Sequence, residues 1–107
     1  MLTEIDYCDY ETCVALKELG YPLTSKEVRY EDKAVFVPSV LLYTAQKWLR
    51  EERHIEVVIL SIRMTGAPYY FQVYTEDYVS TDDNNYDSYE EALSAGIKEA
   101  VEILKER

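Results

Sequence analysis

His54-Ile55-Glu56-Val57-Val58-Ile59-Leu60-Ser61-Ile62-Arg63-Met64 is the stretch on which the fold turns. It is dominated by β-branched residues, which pack well on a pleated surface. In strand alternation, Ile55, Val57 and Ile59 fall on one face and Val58, Leu60 and Ile62 on the other. A strand apolar on both faces is expected to be central in its sheet, or covered on both sides. The turn sequence Thr65-Gly66-Ala67-Pro68 follows. From Tyr69 to Val79, Tyr69, Phe71 and Val73 then oppose Tyr70, Gln72 and Tyr74, which is the pattern of the second strand of a hairpin.

Helical periodicity flanks this hairpin. Upstream, Pro38 and Ser39 mark a helix start, and Leu41, Leu42, Ala45, Trp48 and Leu49 form an apolar stripe through Val40 to Arg53. The stripe places Trp48 in the core, between this helix and the sheet. Downstream, Ser88-Tyr89-Glu90-Glu91 has the form of a capping box, in which the serine hydroxyl and the Glu91 carboxylate satisfy free helix N–H groups. The helix it opens runs to about Lys105 and turns Tyr89, Leu93, Ile97, Ala100 and Leu104 inward. At the other end of the chain, Asp9 precedes a short helix from Tyr10 to Leu19, with Cys8, Thr12, Ala15, Leu16 and Leu19 at helical spacing and Gly20 as its left-handed stop. The intervening Glu27 to Val37 alternates around Val28 and Tyr30, then Val35 and Val37, as one irregular strand or a small hairpin. The expected fold class is α+β: a small antiparallel sheet with three helices packed mainly on one face, in the order helix, irregular strand, helix, strand, strand, helix.

Composition agrees with one ordered domain spanning residues 1–107: 48% hydrophobic and 30% charged residues, with only three glycines and three prolines. The first residues carry no basic stretch leading into an apolar one, and no window approaches the roughly 20 apolar residues that cross a bilayer. A cytoplasmic protein with no membrane partner is therefore expected. Cys8 and Cys13 lie five residues apart, a spacing that sets them on different faces, so they are expected to be reduced packing residues.

Charge is unevenly spread. Twenty-one acids against 11 bases give a net charge of −10, a surface that repels phosphate backbones, so direct nucleic-acid binding is not expected. Between Arg63 and Lys98 there is no base at all, while Glu76, Asp77, Asp82, Asp83, Asp87, Glu90 and Glu91 fall there. Six of the 11 tyrosines, Tyr69, Tyr70, Tyr74, Tyr78, Tyr86 and Tyr89, share the interval. Tyrosine combines a large apolar body with a polar tip, which suits contact surfaces as well as ordinary packing with hydroxyls at the rim. Tyr74, Glu76, Asp77, Tyr78, Asp82, Asp83, Tyr86 and Asp87 are accordingly the candidate binding residues. They suggest a protein-interaction module that meets a basic host protein, or one that mimics nucleic acid to block a nucleic-acid-binding enzyme. A small enzyme on a polar or sugar-like ligand is the alternative. It would need two acids, drawn from Glu56, Glu76, Asp77, Asp82, Asp83 and Asp87, converging in a cleft.

No motif names a catalytic residue or a cofactor, and none of either is expected. His54, the single histidine, follows a helix end, where an imidazole serves the helix electrostatically. Asp83, Asn85 and Asp87 alternate like the first ligands of a calcium loop, but Ser88 stands where that loop needs glycine and Ser94 where it needs a bidentate glutamate, so no metal is expected.

Tyr7-Cys8-Asp9-Tyr10 with Leu16-Lys17-Glu18-Leu19-Gly20-Tyr21, Ala45-Gln46-Lys47-Trp48-Leu49-Arg50-Glu51, and Ser88-Tyr89-Glu90-Glu91-Ala92-Leu93-Ser94-Ala95-Gly96-Ile97 together resemble a group of small uncharacterised proteins of Bacteroidetes genomes, often phage- or mobile-element-encoded. The resemblance spans nearly the whole chain, departing in the short connection between the first two helices. It implies an intracellular bacterial or phage origin and carries over no functional residue.

Overall fold

The computed structural model describes residues 6–30, 33–62, 66, 68–81 and 84–107, with the backbone alone for 24–30 and 33–39. In chain order the elements are α1 (Tyr10–Glu18), β1 (Thr24–Tyr30), β2 (Lys33–Ser39), α2 (Leu42–Arg53), β3 (Glu56–Ser61), β4 (Tyr69–Tyr74), β5 (Val79–Thr81) and α3 (Tyr89–Lys105). β1 and β2 form a two-stranded antiparallel ribbon, and β3–β4–β5 form a three-stranded antiparallel sheet. The fold is α+β, with the helices and strands in the order expected.

Local chemistry explains the helix ends. The Asp9 carboxylate accepts the Thr12 backbone N–H at 2.8 Å and starts α1, and Gly20, at φ 104°, follows its end. The Ser88 hydroxyl accepts from the Glu91 backbone N–H at 3.1 Å and starts α3. α2 begins two residues later than its apolar stripe suggests. Pro38 and Ser39 belong to β2, and Leu41 is still extended, bridging Tyr7, before the helix starts at Leu42 with no side-chain cap bond. A two-stranded ribbon has only edges, so a proline is tolerated there.

α3 lies on the inner face of the sheet, where Leu93, Ile97, Ala100 and Leu104 meet Val57, Phe71 and Val73 in one core with Leu16, Leu42, Leu49 and Ile55. Gly96 sets the approach: a Cβ there would stand 2.6 Å from Val57 Cγ1 and 3.3 Å from Phe71. Trp48 departs from its expected seat between α2 and the sheet. It is half-buried at the core margin, with its ring edge-on to Tyr21 at 5.4 Å and 77°.

Two corrections concern the central hairpin. The run Tyr69 to Val79 is not one strand. It breaks after Tyr74, because the Thr75 hydroxyl accepts from the Asp77 and Tyr78 N–H groups and donates to the Tyr78 carbonyl, folding a turn that sends Val79–Thr81 back as β5. β3 is not central either. The strand order β3-β4-β5 leaves it at an edge, where Gln46 of α2 donates to the Val57 carbonyl at 2.8 Å and stands in for part of a neighbouring strand. Its second apolar row, Val58, Leu60 and Ile62, is half-buried, and no helix among the described residues packs over it.

Candidate functional site

The candidate residues divide into two groups. Tyr74 ends β4, and Glu76, Asp77 and Tyr78 lie in the turn that follows, all exposed. The Tyr74 hydroxyl donates to Gln72 Oε1 at 2.6 Å, which holds its ring over the outer face of the sheet. Tyr74 is 42% exposed, Tyr78 50% and the adjacent Val79 50%. The Thr75 bonds described above fix this corner, so its carboxylates and rings are presented on an ordered backbone.

Tyr86 and Asp87 sit elsewhere. Tyr86 exchanges backbone hydrogen bonds with Tyr69, at 3.1 and 2.7 Å, at the opposite end of β4. Five strand steps of about 3.3 Å separate that end from Tyr74, about 17 Å. The Tyr86 ring packs against the core, 6.2 Å from the Phe71 ring, so it belongs to the interior more than to an exposed face. Asp87 is exposed just ahead of α3. Asp82 and Asp83 lie outside the described residues.

A cluster of tyrosines gathers at the Tyr86 end. Tyr89 meets Tyr43 in a stacked pair at 6.3 Å and Tyr69 edge-on at 6.2 Å, while the Tyr43 hydroxyl donates to Glu90 at 3.4 Å. Desolvation, with the Glu90 carboxylate beside it, raises the Tyr43 pKa. The three rings tie α2, β4 and α3 together.

The enzyme alternative needs carboxylates in a cleft. A shallow cleft of about 170 Å³ lies between α1 and α3, against the roughly 300–1,000 Å³ of small-molecule sites. Its charged residues are Glu11, Lys98, Glu102 and Lys105, and none of Glu56, Glu76, Asp77 and Asp87 lines it. Lys98 is engaged with Asp9 at 2.6 Å and Lys105 with Glu102 at 3.6 Å. Glu56 faces Arg50 at 3.7 Å on the surface. His54 sits at the C-cap of α2 with φ 58°, exposed and in the left-handed region.

Cys8 and Cys13 are both free and buried, and the Cys13 thiol lies 3.8 Å from the Cys8 carbonyl oxygen. Burial pushes the Cys8 thiol up to about 12 and raises that of Cys13 as well, so both stay protonated and unreactive. Among the described residues, no group of three acids, histidines or cysteines is placed to hold a metal ion, and no helix is long and apolar enough to cross a membrane.

Val58, Leu60 and Val79 escaped the sequence reading as candidates, because alternation marks them as apolar without saying that no helix among the described residues packs on their face. No protein-family model, curated protein or solved structure matches the chain.

Proposed function

We propose that this is a non-enzymatic protein-interaction module of phage or mobile-element origin, acting in the cytoplasm, that engages a basic host protein through its acidic, tyrosine-rich corner. The observation that supports this reading is the Tyr74–Tyr78 corner. Two exposed aromatic rings flank Glu76 and Asp77 on a hydrogen-bonded turn, within an interval free of lysine and arginine. Carboxylates in such a setting steer a cationic surface, and the rings then supply apolar contact area. Asp82, Asp83 and Asp87 add to the negative charge of the same base-free interval. That charge disfavours nucleic acid as the partner, since it repels phosphate.

Affinity capture from host lysate tests the reading. The wild type is compared with Glu76→Gln/Asp77→Asn and with Asp82→Asn/Asp83→Asn/Asp87→Asn, at low and high salt. A basic protein should be retained at low salt, more weakly by both variants, and released as salt rises. Identical partner sets for all three proteins at low salt would remove the acidic corner from the account. Turnover of a polar ligand, abolished by replacing one carboxylate, would move the protein to the enzyme class.

A further inference from the structure

Among the described residues, helices pack on one face of the β3–β4–β5 sheet and none packs on the other. On that other face the register sets Leu60 beside Tyr70, Val58 beside Gln72, and Tyr74 between Glu56 and Val79. Val58, Leu60 and Tyr70 are half-buried, while Tyr74 and Val79 are exposed. The row is continuous with the acidic corner, since Tyr74 and Val79 close onto the turn that carries Glu76 and Asp77. No lysine or arginine occurs in these three strands, and Arg50, which reaches the margin at Glu56, is held in its ion pair.

From this we infer that this sheet face is the docking surface, and that its occupant is a short cationic protein segment bearing apolar side chains. The inference rests on the reading proposed above and adds the apolar half of the contact. Two physical arguments select the occupant. The first is charge: an apolar floor with carboxylates at one corner and no free base in its strands fits lysine or arginine side chains reaching that corner while apolar neighbours lie on Leu60, Val58 and Val79. The second is size. β3 and β4, about 17 Å long, and β5, about 10 Å long, at a spacing of about 4.8 Å, offer on the order of 200 Å². That is well short of the roughly 800 Å² per partner of a stable protein pair, so the face suits a segment better than a second copy of this chain, whose net charge of −10 would also repel its twin.

The test uses two synthetic peptides of equal charge, one alternating lysine and valine, the other lysine and serine. Binding is followed by backbone amide shifts and by titration at low and high salt. The lysine–valine peptide is expected to bind more tightly, by roughly tenfold or more, and to shift Val58, Leu60, Tyr70, Tyr74 and Val79. Leu60→Lys and Val79→Lys should each remove most of that advantage, and Val79, already exposed, serves as the variant whose folding is least at risk. Equal affinity of the two peptides, with shifts confined to Glu76 and Asp77, would overturn the docking face and leave the acidic corner standing. Failure of both peptides to bind at low salt would overturn both. A dimer in sedimentation that Val79→Lys dissolves would assign the face to a second copy and overturn the inference.

Discussion

Asp9 and Lys98 show how much one residue can do here. Asp9 caps α1 through Oδ1 and meets Lys98 of α3 through Oδ2, so one carboxylate both starts a helix and fastens it to another. The Lys98 hydrogen bond, helped by the Thr12 N–H, brings Asp9 down from 3.8 to about 2. A depressed carboxylate pKa means stability that is present above the unfolded value and lost as pH falls through the folded one. The Asp9 contribution should therefore be complete above about pH 4 and disappear towards pH 2, a small effect because both side chains are about half exposed. Following the Asp9 carboxyl by NMR should show titration near 2 in the wild type and at a clearly higher pH in Lys98→Gln, where the Thr12 bond alone remains; identical curves would deny the coupling. At Gly96 the forces oppose. Alanine would gain about 1 kcal/mol of helix propensity, yet its Cβ would press on Val57 and Phe71, and overpacking costs about 1–3 kcal/mol. Gly96→Ala should lower the urea midpoint, and in a Val57→Ala background the same change should raise it.

At the scale of the element, the caps carry the argument. The Ser88 hydroxyl holds the Glu91 N–H at the start of α3, the helix whose inner side supplies Leu93, Ile97, Ala100 and Leu104 to the core. Ser88→Ala should cost about 1 kcal/mol in denaturant unfolding with the fold intact. An unchanged midpoint accompanied by loss of binding would place Ser88 in the recognition surface instead. Both this cap and that of α1 were legible from residue type and spacing, because a cap needs only groups within three residues of each other. α2 was not so easily bounded. Its start is fixed by the bridge between Tyr7 and Leu41, a contact across more than 30 positions of chain that no local pattern records.

The whole molecule is extended for its length. Its radius of gyration is 14.8 Å, against about 13 Å for a compact chain of about 100 residues. Beyond its own pairing, the β1–β2 ribbon packs on the rest of the described fold mainly through the contact of β2 with α1. Over this surface a net charge of −10 repels itself and weakens the compact state. Raising salt from low to moderate should therefore increase the thermal midpoint, while the same change weakens any cationic partner. These opposite responses separate self-repulsion from recognition. A melting temperature that falls with salt would mean that attractive ion pairs outweigh the repulsion.

Periodicity and groups close along the chain settle the class of the fold, the element order, the caps of α1 and α3 and the inner rows of β3 and β4. The tertiary structure decided what lay beyond that range. Alternation shows that both rows of β3 are apolar, but only the packing shows that helices take the Val57 row and that none among the described residues packs on the Val58 row. Likewise, Tyr74 to Asp87 looks like one acidic, aromatic patch in linear order. An extended strand is stiff, however, and β4 carries Tyr74 about 17 Å away from the point where Tyr86 pairs with Tyr69, so neighbours in sequence become two separate ends of a sheet.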